Sequence, residues 1–92
     1  DGIIVVALSI DRYTREVVSG PDVVSRGFVY VRESEELMNE IRELVCDILE
    51  KCYIHNVRDY NTIKTRIKDG VSKFLFVRTK RSPMILPVIM EV

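Results

Sequence analysis

The spacing of apolar residues along this chain predicts three strands and two helices. Ile3 to Ile10 is a continuous apolar run broken only by Ser9, and its length and its Ile and Val content favour a central strand. Residues 11 to 16 are polar and few enough to reverse the chain into a return strand, which predicts a β-hairpin. Met84 to Val92 is almost wholly apolar and predicts a final strand.

The second strand is expected within Val17 to Val31, where turn-forming residues interrupt the apolar pattern. Ser19-Gly20-Pro21-Asp22 is a turn signal, and Val23 to Gly27 is expected to bring the chain back as irregular or bulged structure. Gly27 can adopt a positive φ that would strain other residues. Phe28 to Val31 then predicts a short strand.

Two segments repeat apolar residues at three- and four-residue intervals, which is typical of amphipathic helices. The first begins at Ser34, a good N-cap, and continues to about Tyr53 or His55. The second follows Asp59, another N-cap candidate, and ends before Pro83. The predicted apolar faces consist of Leu37, Ile41, Leu44, Val45, Ile48 and Cys52 in the first helix, and of Tyr60, Ile63, Ile67, Val71, Phe74 and Leu75 in the second.

These elements predict an α+β fold in two layers: a small mixed sheet of about three strands, covered on one face by two helices, in the chain order ββααβ. The length suits a single domain, residues 1 to 92, and such a domain buries about 60 to 65% of the surface that its unfolded chain exposes. The strand order stays open. Gly70 lies within the second helix pattern, where glycine costs about 1 kcal/mol of helix stability relative to Ala. A close approach of another backbone would explain why glycine stands there.

The terminal strand offers a candidate assembly surface. Its residues are apolar on both alternating faces apart from Glu91, so we expect it to be buried on both faces, or on one face with a partner chain on the other. Pro87 lacks a backbone donor and is therefore expected on an edge strand, and an apolar edge strand invites pairing with another chain. The residues that we assign to an assembly interface are Met84, Pro87 and Ile89.

Positive charge is concentrated in the last third of the chain, although the formal net charge of the whole is zero. Zero net charge argues against strong nonspecific attraction to nucleic acid. Lys64 and Lys68 project to one flank of the second helix and Lys73 to the other, and a solvated helix is the simplest interpretation. If the domain binds RNA phosphates, the candidate residues in this part of the chain are Lys64, Lys68, Lys73, Arg78, Lys80 and Arg81.

The residue types needed for catalysis or metal binding are not grouped in the sequence. Glu36, Glu40, Glu43 and Asp47 resemble a carboxylate cluster, but their spacing is also that of a solvated helix face, so we expect no metal site. His55 is the single histidine and lies near the end of the first helix on its projected apolar side. We expect it to pack or to interact with the helix dipole, because no nucleophile or orienting partner lies near it in the sequence.

Cysteine usage and hydropathy indicate a soluble, cytoplasmic protein. Cys46 and Cys52 lie six residues apart on one predicted helix, about 240° around it, so they cannot pair within that helix. Two unpaired thiols fit a reducing compartment, and no apolar stretch approaches the roughly 20 residues that span a bilayer. Asp1-Gly2 leads directly into a strand without an initiator Met, which suggests an excised domain.

Two stretches resemble a known family. They read SGPDVVSRGFVYVRESEEL and DYNTIKTRIKDGVSKFLFVRTKRSPMILPVIMEV, and their blocks GPDVVSRGFVY, TKRSPMILP and IMEV are specific. Together they cover nearly the whole chain and look like the C-terminal domain of ribonuclease J. The first block makes Arg26 a candidate for a contact with RNA or another subunit, and the alternative is that its guanidinium satisfies loop carbonyls.

In that family a metallo-β-lactamase core and a β-CASP domain precede this domain, and the complete enzyme is a zinc-dependent RNA hydrolase with 5′-to-3′ exonuclease and endonuclease activities in RNA processing and decay. The family's metal-binding motif has no counterpart here. The resemblance therefore implies a non-catalytic accessory domain without a cofactor of its own, which supports assembly or dimerisation and RNA positioning.

The partners expected from this resemblance are the other domains of the same ribonuclease, a further copy in a homo-oligomer, and RNA, but no membrane. The alternative function is a stand-alone RNA-binding module that uses the basic residues 64 to 81. The loop between the predicted helices contains no GxxG of the kind that lets KH-like modules clamp a nucleotide backbone. An autonomous enzyme is the least supported alternative.

Overall fold

The computed structural model describes residues 2–27 and 34–92 and contains two strands, two helices and a final strand. This is the predicted α+β architecture in the predicted order ββααβ. The elements are β1 (Ile3–Ile10), β2 (Val17–Arg26), α1 (Ser34–Ile54), α2 (Tyr60–Thr79) and β3 (Met84–Glu91).

β1 is the central strand, because the strand order of the sheet is β2-β1-β3. It pairs with β2 in the antiparallel direction and with β3 in the parallel direction, so the sheet is mixed, as predicted. The parallel pairing is possible because both helices lie between β1 and β3 in the chain and return it to the end of the sheet where β1 begins.

One face of β1 forms the centre of the core. Ile4, Val6, Leu8 and Ile10 are buried, and strand alternation places all four on the same face. Both helices pack over this face, with α1 against β2 and α2 against β3. The helix residues that complete the core are Leu37, Ile41, Val45, Leu49 and Cys52 of α1, and Ile63, Ile67, Val71 and Leu75 of α2. The other positions predicted for these faces are partly buried at the margins: Leu44, Ile48, Tyr60 and Phe74.

The turn predicted at residues 19 to 22 is wrong, because β2 runs through these residues as one strand. From Ala7 to Ser9, β1 advances by two residues while β2 advances by three, so the turn-forming residues make a β-bulge instead of a chain reversal. Gly20 permits this backbone because it takes a φ of 83°, which strains residues that carry a Cβ.

The next part of β2 is more regular than predicted. Val23 to Arg26 pair with consecutive residues of β1, so the irregular structure expected there is wrong. Gly27 follows the strand with a φ of 71°, which confirms its predicted positive φ. The short strand predicted for Phe28 to Val31 lies outside the described residues.

The start of α2 confirms the cap predicted from the sequence. The carboxylate of Asp59 accepts hydrogen bonds from the hydroxyl and the backbone N–H of Thr62, at 2.7 and 3.1 Å. These two bonds hold the pKa of Asp59 below its usual value. α1 begins at Ser34, but the predicted capping role of that side chain lies outside the described residues.

The end of α1 differs from the prediction at His55. The helix ends at Ile54, and His55 is exposed, so the packed alternative is wrong. The physical reason is that the chain leaves the helix here: Asn56 takes a left-handed φ of 59° and turns the chain toward α2.

Gly70 lies where α2 packs closely on α1. A Cβ at this position would lie 2.7 Å from Cδ1 of Ile48. The close neighbour is therefore a side chain of α1 and not the backbone that the sequence suggested.

We expect Gly20→Ala to destabilise the domain more than Gly27→Ala. Both glycines have a left-handed φ, which costs a residue with a Cβ about 1–2 kcal/mol. Only at Gly20 would the new Cβ also meet a backbone oxygen, that of Ala7, at 2.6 Å, whereas at Gly27 the nearest atom is the Cα of Gly2 at 3.4 Å. The free energy of unfolding from urea titration should fall by about 1 kcal/mol for Gly27→Ala and at least twice as much for Gly20→Ala. Equal losses would contradict the role of the close backbone contact.

Candidate functional site

The sheet face that points away from the helices is apolar and uncovered by the described elements, and we call it the outer face. On β3, Met84, Leu86 and Met90 are 61%, 46% and 53% exposed, whereas Ile85 between them is 3% exposed. Strand alternation and register define the whole set. The apolar residues of the outer face are Ile3, Val5, Ala7, Val24, Met84, Leu86, Val88 and Met90.

The outer face is continuous across the sheet because the strand registers align. Val5 lies opposite Val24 of β2 and opposite Leu86 of β3. Three apolar side chains therefore stand side by side at the middle of the face. Contiguous exposed apolar surface is uncommon on soluble monomers and commonly marks an interaction site.

The three residues that the sequence assigned to assembly lie on two different faces of β3 in the structure. Met84 lies on the outer face, whereas Pro87 and Ile89 point to the helix layer and are partly buried. Leu86 and Val88 of the same strand were missed. Because the strand is apolar on both faces, its sequence alternation does not show which residues the helices cover.

Pro87 also changes the interpretation of β3 as a pairing edge. The backbone N–H groups of Met84 and Val92 donate to the carbonyls of Gly2, just before β1, and of Ile10, at its end, both at 2.9 Å. Alternation therefore turns the nitrogen of Pro87 outward. Its missing N–H therefore costs no hydrogen bond within the sheet and leaves a gap in the donors of the free edge. A proline at this position opposes edge-to-edge pairing.

The predicted RNA-binding residues do not form one surface. Arg26 lies on β2 at the outer face, opposite Ile3, while the lysines of α2 belong to the helix layer on the other side of the sheet. Arg78 makes an ion pair with Glu40 of α1, so its charge is already compensated. Lys80 lies over the ring of Phe76, with its ammonium nitrogen 5.6 Å from the ring centroid.

The three predicted lysines of α2 diverge around the helix. Lys64 and Lys68 lie one turn apart on the same flank, which is about 120° to 160° around the helix from Gly70, the residue that packs on α1. Lys73 is exposed about 180° around the helix from Lys64, at 100° per residue. Of the three predicted lysines of α2, only Lys64 and Lys68 therefore lie on one flank and can contact the same short stretch of a phosphate backbone. Arg81 is exposed beyond the end of the helix.

A polar cluster that the sequence patterns did not reveal connects the β1–β2 loop, the start of α2 and the end of β3. The guanidinium of Arg15 donates to the hydroxyl of Tyr60 at 2.8 Å and to the carbonyl of Arg58 at 2.6 Å, and it lies 4.6 Å from the centre of the Tyr60 ring. The Tyr60 hydroxyl donates to the carboxylate of Glu91 at 2.9 Å. Burial and this bond raise the pKa of Tyr60. The cluster links the β1–β2 loop to α2 and β3, and its polar groups are hydrogen-bond partners of one another.

A cleft of about 690 Å³ lies beside this cluster, between the β1–β2 loop and the end of α1. Buried Ile10, Cys52 and Ile63 form part of its wall, and Glu16 and Glu50 are also part of its lining. Cys46 is exposed and Cys52 buried, both as free thiols, which confirms that Cys52 faces the core.

The carboxylates of α1 do not fit a metal site. In residues 2–27 and 34–92 no group of three or more His, Cys, Asp or Glu side chains is placed to hold an ion, and Glu40 is engaged by Arg78. Of the two helices in these ranges, neither has the length and apolar content to cross a membrane.

Fold and surface together define a class: a small α+β domain whose most prominent feature is an open apolar sheet face. The family model of the Ribonuclease J C-terminal domain matches residues 1–92, and the chain belongs to this family. The resemblance drawn from the sequence blocks is thereby confirmed.

Relatives with sequence similarity agree with this assignment. The chain is 44% identical over 92 residues to Ribonuclease J2 of Bacillus subtilis (strain 168), covering 100% of the chain and 17% of that protein. It is 46% identical over 92 residues to Ribonuclease J 2 of Staphylococcus saprophyticus and 45% identical to Ribonuclease J 2 of Staphylococcus aureus (strain NCTC 8325 / PS 47), covering 100% of the chain and 16% of each relative. By name these relatives are nucleases, and the chain spans about a sixth of their length.

We expect Pro87→Ala to leave the sheet nearly as stable as before, because the nitrogen of Pro87 points to the free edge. The loss should be within about 1 kcal/mol, from the greater freedom of the unfolded chain. The matched control is Leu86→Pro, which removes a donor that alternation directs to β1 and leaves a carbonyl there without its partner. Urea titration of both variants should show a much larger loss for Leu86→Pro; similar losses would contradict the assigned direction of the Pro87 nitrogen.

Proposed function

We propose that this domain is an assembly domain, which buries its outer face against another folded surface within a ribonuclease J. The observation that carries the proposal is the exposed apolar row of β3 together with its neighbours on β1 and β2. Burial of apolar surface stabilises a complex by about 25 cal/mol per Å². Because the strands already fix the backbone beneath these side chains, burial restricts only the freedom of the side chains themselves.

The parent enzyme is, in this proposal, a zinc-dependent 5′-to-3′ exoribonuclease and endoribonuclease of RNA processing and decay. The nuclease names of the relatives, together with the sequence resemblance, support this activity for the parent. Its catalytic residues and zinc belong to the other domains, while this domain supports assembly and the position of the RNA. Free thiols at Cys46 and Cys52 support a cytoplasmic location.

Leu86→Asp in the full-length enzyme tests the assembly role. A carboxylate at the middle of the outer face must lose water when the face is buried, so the association constant should fall more than tenfold, which corresponds to about 1.4 kcal/mol. Sedimentation equilibrium of the enzyme measures the assembled mass. The matched control is Val77→Asp, since Val77 is 73% exposed on α2 in the opposite layer.

Circular dichroism and thermal unfolding of both variants must first show an intact fold. If the assembled mass of Leu86→Asp equals that of Val77→Asp and of the unchanged enzyme, the outer face is not an assembly surface.

A second candidate function is direct RNA binding through α2, and the paired position of Lys64 and Lys68 favours it. Neither lysine makes an ion pair or a side-chain hydrogen bond with another described residue. Such a pair supports contact with the phosphate backbone rather than base-specific readout.

We expect replacement of both Lys64 and Lys68 by Ala to weaken binding of a short single-stranded RNA and to flatten its salt dependence. Each lost phosphate contact should reduce the slope of log K against log salt by about 0.7. A control with the same net charge replaces exposed Arg12 and Lys51 by Ala. Fluorescence anisotropy at several salt concentrations measures both; equal slopes in the two double variants would reject RNA binding through α2.

A further inference from the structure

Phe76 lies on the side of α2 that faces away from the core, and its side chain is exposed to solvent. The core side of the helix is occupied by Ile67, Val71 and Leu75, which are 0% exposed, whereas Phe76 is 52% exposed. At about 100° per residue, Phe76 projects about 140° around the helix from Val71. Packing within the domain therefore does not require an aromatic ring at this position.

Lysines stand on both sides of this ring along the helix. Lys73 lies three residues before Phe76 and Lys80 four residues after it, and these spacings place side chains on the same face. The ammonium nitrogen of Lys80 lies 5.6 Å from the centre of the Phe76 ring. Both lysines are exposed, and neither makes an ion pair with another described residue. We call Lys73, Phe76 and Lys80 together the Phe76 surface.

The Phe76 surface belongs to a longer row of positive charge. Cations recur every seven residues, about two turns, at Arg66, Lys73 and Lys80, and all three are exposed. Asp69 is the only acidic residue of α2, and it lies between Arg66 and Lys73, two turns from Phe76. A row of cations that follows the helix axis suits an extended polyanion better than a single carboxylate.

An exposed aromatic ring bordered by lysines is the combination that single-stranded nucleic acid binds, because bases stack on the ring while cations contact the phosphates. Lysine is depleted at the cores of protein interfaces, so an apolar protein surface is a poorer match. Lys80 does not block the ring, since an exposed cation–π contact is weaker than the stacking of a base on an aromatic side chain. A stacked base would release the Lys80 ammonium group for a phosphate.

We propose that the Phe76 surface binds single-stranded RNA, with one base stacked on the ring of Phe76 and the adjacent phosphates against Lys73 and Lys80. The inference rests on the second candidate function, RNA binding through α2, and names the group that holds a base. Lys73 and Lys80 are about 10 Å apart along the helix axis, and a nucleotide on the ring between them carries phosphate on both sides of its sugar. Every base has a flat face, so this contact accepts any sequence.

This chain contains no tryptophan, which allows a direct test of stacking. Phe76→Trp places one indole at the position of the ring. Val77→Trp places it on the adjacent residue, which is 73% exposed, and serves as the matched control. We expect a ten-nucleotide oligoadenylate to quench the fluorescence of Phe76→Trp by about half or more at saturation, because a stacked base quenches indole emission. The fluorescence of Val77→Trp should stay nearly unchanged.

Fluorescence anisotropy of the same oligoadenylate, labelled with fluorescein, measures the affinity. Phe76→Leu keeps an apolar side chain without a ring, so we expect its binding to weaken about tenfold, whereas Phe76→Trp should bind at least as tightly as the unchanged chain. Val77→Ala should bind like the unchanged chain. An abasic ribose-phosphate oligomer of the same length offers phosphates without bases and should bind Phe76→Leu and the unchanged chain equally. Circular dichroism of each variant checks that its fold is intact.

The outcomes separate stacking from RNA binding as such. If Phe76→Leu binds the oligoadenylate as tightly as the unchanged chain, or if both tryptophans are quenched alike, RNA contacts the domain without stacking on Phe76, and this inference alone is overturned. If the unchanged chain binds neither the oligoadenylate nor the abasic oligomer, RNA binding through α2 is rejected together with it.

Discussion

The structure depends on an imbalance in burial: two helices cover one face of a three-stranded sheet and leave the other face open. The covered face of β1, with Ile4, Val6 and Leu8, supplies the centre of the core. The uncovered face of the same strand is also apolar, with Ile3 and Val5. A strand with one solvated face normally alternates apolar and polar residues, so the composition of β1 suits a sheet that is covered twice. The described chain supplies only one of the two covers.

Polar side chains elsewhere in the fold largely satisfy one another. Arg78 is compensated by Glu40 across the two helices, and Arg15 joins Tyr60 to the end of β3. The basic appearance of the last third of the sequence therefore overstates the charge that α2 offers to a ligand. Asp22 and Arg26 differ from these pairs because they lie on the open face without partners among the described residues. Position on the sheet, more than number of charges, identifies the groups available to another molecule.

The chain belongs to the Ribonuclease J C-terminal domain family and spans about a sixth of the length of its named relatives. A domain that small has room for one core and little else. Its surface, rather than a catalytic pocket, is the part of the structure that carries our functional proposal. An open apolar face would be a liability in an isolated monomer, and burial in an assembly removes that liability.

The sequence by itself determined the number, order and type of the elements, because helical spacing in α1 and α2 and the apolar runs of β1 and β3 are local patterns. It also determined the cap at Asp59 and the positive φ of Gly27, which depend on nearby residues of the chain. Only the tertiary structure decided that residues 19 to 22 form a bulge and not a turn, since that outcome requires β1 alongside. The tertiary structure likewise decided which face of β3 is open and which charges meet. Because β3 is apolar on both faces, its sequence does not show which face the helices cover.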